Sequence, residues 1–314
     1  MINTYIITGF LGAGKTTFLN HLLAHHKNQS NLVIENEFGD VNIDSQLIVG
    51  KVEQVFELTS GCICCSLDSE FIETLMHISE NGKRPDNLFI ETTGIADAGE
   101  IIGIMNSPEL KEHFSLKHCI CIVDAQNIEE RLVQTYEAAK QITVSDVLVI
   151  NKLNDSGDQH LKEMMGQINP FATIYTSSNG LIDFNALEKL PRNSDIAMQK
   201  KPKTFTLKTK HSINTVVFET DELLDFNILM NILNVNFSLY SHQLYRLKGL
   251  IKTNRGNQNY LVQSTGKYIS CVGTNLQGGW KSTSVLVFIG TDLKTVTINR
   301  ILKPAIIKKD NQLI

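Results

Sequence analysis

The sequence predicts an α/β chain in two parts: a doubly wound, mainly parallel sheet, followed by a smaller α+β domain. Strand-like and helix-like segments alternate over about the first 180 residues, the arrangement that builds a parallel sheet covered on both faces. Between Arg192 and Lys203 the composition shifts to a polar stretch, Gln199-Lys-Lys-Pro-Lys203, which reads as a linker. Beyond it the order changes to mostly strands. The expected organisation is a first domain over 1–192, a linker over 193–203 and a second domain over 204–314.

The first strand–helix unit carries the strongest signal. Tyr5–Ile7 is a short apolar strand, and Leu19, Leu22 and Leu23 follow at helical spacing. Between them, Gly9-Phe-Leu-Gly12-Ala13-Gly14-Lys15-Thr16 fits the phosphate-loop pattern of an NTPase, and Thr17 follows it. The pattern has a mechanism. Consecutive backbone N–H groups and the helix N-terminus attract phosphate, and glycines let the backbone approach it. Lys15 is placed to neutralise the β- and γ-phosphates, Thr16 to hold Mg²⁺, and Thr17 to face the α-phosphate side.

The remaining elements follow in order. Asn31–Ile34 reads as a second strand running into the acidic stretch Glu35-Asn-Glu37-Phe-Gly-Asp40 and Asp44, the place of a nucleotide-sensing switch. Val52–Leu58 alternates, then gives way to Gly61-Cys62-Ile-Cys64-Cys65, and a helix is expected over Ser69–Ser79. Asn87–Glu91 is a buried strand ending in Glu91-Thr-Thr-Gly94. At that position an acidic residue serves Mg²⁺, and the Gly94 N–H can meet the γ-phosphate. A short helix is expected over Gly99–Asn106, a strand over Lys117–Asp124, a helix over Ile128–Gln141 and a strand over Asp146–Ile150. Cys119 and Cys121 share one strand face and read as buried small hydrophobes. A helix over Gln159–Ile168 stops before Pro170, and Ala172–Tyr175 is a strand. The second part reads as six strands with helices over Asp225–Leu233 and Asp292–Leu302. All the motifs lie at strand carboxyl ends, where such sheets bind ligands.

The 314 residues carry 29 basic and 33 acidic side chains, net −4, which argues against a nucleic-acid-wrapping surface. No run approaches the roughly 18–20 apolar residues of a membrane span, and the N-terminus enters a strand directly, so the expected location is the cytoplasm. There are six cysteines, and in that reducing setting the clustered ones suggest metal or catalysis rather than disulfides. Cys62, Cys64 and Cys65 supply three soft donors for Zn²⁺, Cu⁺ or a related ion, with water, Glu35, Glu37, Asp40 or a partner's side chain as a fourth. An unmetallated turn or a redox dithiol is the plainer alternative. His21 and His25 share a helix face, which reads as solvated rather than ligating.

Asn151-Lys152-Leu-Asn154 occupies the position of a guanine-reading Asn-Lys-x-Asp. Asn154 offers one acceptor and one donor, which suits adenine or xanthine better than guanine. Backbone N–H groups of Thr176–Ser178 offer a contact to the purine O6. Guanine is the reading adopted.

Taken together, Gly9–Thr17, Glu35–Gly39, Gly61–Cys65 and Glu91–Gly94 resemble the CobW-like metallochaperone GTPases, relatives of the UreG and HypB nickel-delivery proteins. The resemblance continues through Tyr245–Gly249 and Val287–Gly290, so it spans nearly the whole chain. It implies a slow GTPase with Mg²⁺ at Thr16 and Glu91, binding Zn²⁺ or a similar ion at Cys62, Cys64 and Cys65, with Glu35 and Asp40 assisting. Nucleotide state would govern metal transfer to a client metalloprotein, and a homodimer is left open. The histidine-rich stretch of some members is absent, which argues against bulk storage. The alternatives are a small-molecule kinase and a non-enzymatic zinc sensor or redox switch.

Overall fold

The computed structural model describes residues 1–35, 54–57, 67–80, 84–153, 158–191, 203–207, 212–265, 268–274 and 283–307. Glu37, Asp40, Asp44, Cys62, Cys64, Cys65, Asn154 and most of the expected linker lie outside the described residues.

The first unit comprises residues Met1–Gly166 and Ala172–Leu190. Its strands are β1 (Ile2–Thr8), β2 (Asn31–Glu35), β3 (Gln54–Glu57), β4 (Asn87–Glu91), β5 (Phe114–Asp124), β6 (Val147–Asn151) and β7 (Thr173–Thr176). They form one parallel sheet in the order β3-β2-β4-β1-β5-β6-β7. The strands read as unbroken apolar runs because both faces are covered. Successive residues of β1 go to opposite sides. Ile6 packs with Phe71, Leu75 and Ile78 of α2 (Leu67–Glu80) and with Ile101 and Ile102 of α3 (Ala98–Met105). Tyr5 and Ile7 pack instead with Phe18, Leu19 and Leu22 of α1 (Lys15–His25) and with Phe184 and Leu187 of a helix over Phe184–Glu188. These two apolar layers are the doubly wound architecture expected from the alternation.

Several elements differ in extent from expectation. The segment expected as one helix over Ile128–Gln141 is two. A short α4 (Pro108–Lys111), capped by Ser107 and started by Pro108, precedes them. Then α5 (Ile128–Gln134) and α6 (Tyr136–Val144) are separated by Thr135, which is extended at φ −133° and ψ 147°. The Thr135 hydroxyl donates to the Arg131 carbonyl and so satisfies part of the α5 terminus. After α7 (Asp158–Ile168) comes α8 (Phe184–Glu188), which the sequence reading did not anticipate. Asp183 caps it by accepting from the Ala186 N–H at 3.1 Å. β5 begins three residues before the expected Lys117.

The second unit holds Gln167–Phe171 and residues 191–314. The segment 167–171 was expected with the first domain but clusters here. Strands β8 (Phe205–Leu207), β9 (Ile213–Thr220), β10 (Leu244–Lys252), β11 (Asn259–Thr265), β12 (Tyr268–Thr274) and β13 (Ser284–Thr291) form an antiparallel sheet ordered β12-β11-β10-β13-β9-β8. One face is covered by α9 (Phe226–Leu239) and α10 (Thr295–Leu302), through Leu229, Leu233, Phe237, Ile298 and Leu302. The other receives Phe171 against Leu250, Val285 and Val287. The helix α9 outruns its expected end at Leu233, because Phe237 extends the i, i+4 stripe of Leu229 and Leu233.

Candidate functional site

The loop from β1 to α1 is built by glycines with no substitute. Gly9 has φ 141°, and a Cβ there would overlap the Ile122 carbonyl of β5. Gly14, at φ 99° and ψ 30°, is the left-handed residue from which α1 starts, and a Cβ on it would come 2.6 Å from the Asn151 amide nitrogen. Ala13 and Lys15 are buried, Gly12 and Thr17 are exposed, and no acidic side chain occupies the first turn of α1. An anion approaching that helix end meets its positive dipole with no competing carboxylate from the same turn.

Parallel pairing brings the acidic strand ends beside this loop. Ile7 pairs with Glu91, and Glu91 with Glu35, in register across β1, β4 and β2. Both carboxylates are buried, Glu91 at 5% and Glu35 at 2% exposure. The Thr16 hydroxyl donates to Glu91 Oε1 at 3.0 Å. A hydroxyl and a carboxylate in contact at the head of a glycine loop are hard oxygen donors, which suits Mg²⁺. Behind them, the Thr92 N–H donates to the Ile7 carbonyl and the Thr92 hydroxyl to Thr8 Oγ1 at 3.0 Å. Gly94 lies against Leu11, where a Cβ would be 2.5 Å from the Leu11 nitrogen.

Asn151 spends its side chain on backbone. Its Nδ2 donates to the Ala13 carbonyl at 2.9 Å, and its Oδ1 accepts from the Gly180 N–H at 2.8 Å. It therefore braces the phosphate loop against the loop after β7. Lys152 holds φ 60° and places Nζ 3.0 Å from Asp124 Oδ2. Of the candidate residues, Gly9, Gly12, Ala13, Gly14, Lys15, Thr16, Thr17, Glu35, Glu91, Gly94, Asn151 and Lys152 all lie at the carboxyl ends of this sheet or in the loops there.

Two contributors escaped the sequence reading. Gln141 of α6 is buried and donates through Nε2 to the carbonyls of Gly94, at 3.1 Å, and Ala96, at 3.4 Å. It holds the loop after β4, and nothing in its local pattern distinguishes it from an ordinary helical glutamine. Asp124 ends β5, and only its position at a strand terminus hinted at a role. Burial pushes the Asp124 carboxyl up, but hydrogen bonds from Asn127, Lys152 and the Gln126 amide outweigh burial and hold it below the usual carboxylate range. A folded-state value below the unfolded ~3.9 means that this carboxylate stabilises the fold above about pH 4. That contribution disappears as pH falls through the folded-state value. Urea midpoints measured against pH are expected to fall along this acid limb, and Asp124→Asn to flatten it.

Cys119 and Cys121 are buried in β5, and burial raises the Cys121 thiol to about 12 although nearby Lys15 opposes the shift. They behave as the small hydrophobes expected. Among the described residues no helix is long and apolar enough to cross a membrane.

Comparison with known proteins agrees with this geometry. The family described as CobW/HypB/UreG, nucleotide-binding domain, matches residues 3–176, and the cobalamin synthesis protein cobW C-terminal domain matches 213–306. The zinc chaperone YjiA of Escherichia coli (strain K12) is 32% identical over 297 residues, covering 92% of this chain and 93% of its own. The zinc-regulated GTPase metalloprotein activator 1 of Schizosaccharomyces pombe is 31% identical over 189 residues, covering 57% of this chain and 46% of its own. The crystal structure of Zn(II)-bound YjiA GTPase from E. coli superposes with a TM-score of 0.71 at 25% identity, covering 98% of this chain and 99% of that one. A glycine loop that only glycine can build, a strand-end glutamate against its threonine and matches along both units lead to one assignment: the chain belongs to the CobW/HypB/UreG nucleotide-binding family and carries that family's CobW C-terminal domain.

Proposed function

We propose that this protein is a GTP-hydrolysing metallochaperone that carries Zn²⁺ or a similar ion to a client metalloprotein in the cytoplasm. The observation that carries the reading is the 3.0 Å contact between Thr16 Oγ1 and Glu91 Oε1 at the mouth of the glycine loop. Its relatives named as zinc chaperones and as a zinc-regulated GTPase support the choice of nucleotide and cargo.

In this reading the loop from Gly9 to Thr17 cradles the phosphates and Lys15 neutralises the β- and γ-oxygens. Thr16 and Glu91 are the residues that would hold Mg²⁺, and the ion would supply charge neutralisation to the phosphates. Water adds to the γ-phosphorus, and the bond to the β–γ bridging oxygen breaks to leave GDP and phosphate. Among the described residues no side chain stands out as a base or arginine finger, so intrinsic turnover is slow. Asn151 fixes the loop against the segment that meets the base, Lys152 lines the base side, and Gly94 offers its N–H to the γ-phosphate.

Cys62, Cys64 and Cys65 hold the cargo ion, assisted by Glu35 and Asp40. Glu35 gives the coupling a physical route. It sits level with Glu91 on the neighbouring strand, so a cargo-side carboxylate and a nucleotide-side carboxylate share one register position.

Zinc affinity is measured by chelator competition with GDP and with a non-hydrolysable GTP analogue. The expected difference is roughly 5- to 150-fold, and zinc must shift nucleotide affinity by the same factor. Equal zinc affinities in the two states reject the coupling. A parallel panel of GTP, ATP and XTP tests the base preference, with tightest binding expected for GTP.

A further inference from the structure

A second cluster of ligating side chains lies at the far end of α1. His25 Nε2 and His26 Nε2 approach the same Glu188 oxygen, Oε1, at 3.4 and 3.2 Å. The three ligating atoms all lie within 4.8 Å of one another. Four-coordinate zinc, with bonds of ~2.0–2.1 Å to nitrogen and oxygen, separates its ligands by roughly 3.3–3.4 Å. Both measured approaches are close to that spacing.

The proton on His26 is placed by its neighbours. Asn31 Nδ2 donates to the His26 carbonyl at 2.9 Å, so its Oδ1 accepts from Asn87 Nδ2, also at 2.9 Å. Asn87 accepts at Oδ1 from Asn3 Nδ2, at 3.3 Å, and donates again from Nδ2 to Gln29 Oε1, at 2.6 Å. Gln29 Oε1 is therefore an acceptor, and its 2.7 Å contact with His26 Nδ1 requires the proton on Nδ1. Neutral His26 then turns a bare Nε2 lone pair toward a carboxylate. That nitrogen is buried, in a side chain 4% exposed, and makes no hydrogen bond. Its approach to Glu188 is close but not aligned as one.

A lone pair facing a carboxylate oxygen repels it unless a positive centre lies between them. An ion held between His25, His26 and Glu188 relieves that repulsion. A Nδ1–H anchored on an oxygen, leaving Nε2 as the donor, is how ligating histidines are commonly oriented.

We propose that His25, His26 and Glu188 form a second site for a divalent transition ion of the zinc class, distinct from the cysteine cluster, with water completing the coordination on the half-exposed Glu188 side. Two imidazoles and a carboxylate favour Zn²⁺ over thiophilic Cu⁺. The site has a structural consequence. Glu188 ends α8, which follows the loop whose Gly180 is held by Asn151. An ion there ties that loop and α8 to α1, the helix that begins at the phosphate loop. The proposal is independent of the function assigned to Cys62, Cys64 and Cys65.

The test uses the full chain with Cys62, Cys64 and Cys65 all replaced by alanine, titrated with Zn²⁺ against a chromophoric chelator. One equivalent is expected to bind. On that background Gln29→Leu should weaken binding roughly 10- to 100-fold, the usual effect of losing an outer partner, and Glu188→Gln by at least the lower figure. Zinc should also raise the thermal midpoint of the cysteine-free chain, and Glu188→Gln should abolish that rise. Glu188 is partly exposed at a helix end, so its variant keeps the fold, and circular dichroism verifies this. A cysteine-free chain that takes up no stoichiometric zinc, or a Glu188→Gln affinity equal to its parent's, overturns the proposal. Neither result bears on zinc binding by the cysteines, which is read in the unmodified chain.

Discussion

Thr16→Val is expected to reduce Mg²⁺-dependent GTP hydrolysis by about 10²- to 10³-fold, the scale on which removal of one preorganised polar group acts in other active sites. Valine preserves the branched shape of threonine, and Thr16 is only partly buried, so the fold is expected to survive. What is lost is the hydroxyl, which touches Glu91 Oε1 at 3.0 Å. Without it, the glutamate loses a hydrogen-bond donor, and Mg²⁺, on the function proposed above, would lose one of the two oxygens assigned to it. Thr16→Ser restores the hydroxyl and should recover most of the activity. Single-turnover hydrolysis across a Mg²⁺ titration checks both variants. A Val variant with wild-type turnover at saturating Mg²⁺ removes Thr16 from the site.

The second large effect is expected at Asn151, where two substitutions should rank in an informative order. Asn151→Ala strands two buried backbone groups, the Ala13 carbonyl and the Gly180 N–H, each of which costs roughly 1–3 kcal/mol when left unsatisfied. The two loops that Asn151 joins lose their brace, and nucleotide affinity should fall with stability. Asn151→Asp still accepts from Gly180 but turns a carboxylate oxygen toward the Ala13 carbonyl where an N–H had donated. Repulsion at 3% exposure replaces an attraction, so the aspartate variant should lose at least as much as alanine despite its closer shape. Urea melts and nucleotide titrations of the pair decide the matter. A nearly wild-type aspartate variant would show that the Nδ2 donation to the Ala13 carbonyl does not brace the loop.

The first unit was easier to read in the sequence than the second, for a physical reason. A phosphate loop joins a strand to a helix with fixed spacing, so β1, the loop and α1 come as one signal, and later strand ends must line up beside them. The break at Thr135 left no such mark. The apolar periodicity runs across it, and one threonine is an ambiguous signal, since its hydroxyl serves helix interiors and termini alike. The α8 cap at Asp183 was visible in principle, yet a five-residue helix is too short for periodicity to register. His25 reads as a solvated residue of α1, because the carboxylate that meets it comes from an unforeseen helix more than a hundred residues later. Gln141 is harder still. Its partners are two main-chain carbonyls, which no side-chain pattern can announce.

The sheet order also sets a timetable for the nascent polypeptide. Ile2–Thr8 is synthesised well before Asn87–Glu91 and Phe114–Asp124, the strands between which it lies, so neither of its edges can be paired until they follow. The Ile122 carbonyl that crowds Gly9 belongs to the last of these arrivals. The loop after β1 therefore waits for strands made much later, and a chain stalled before Phe114 presents an apolar ribbon with an open edge rather than a nascent phosphate cradle.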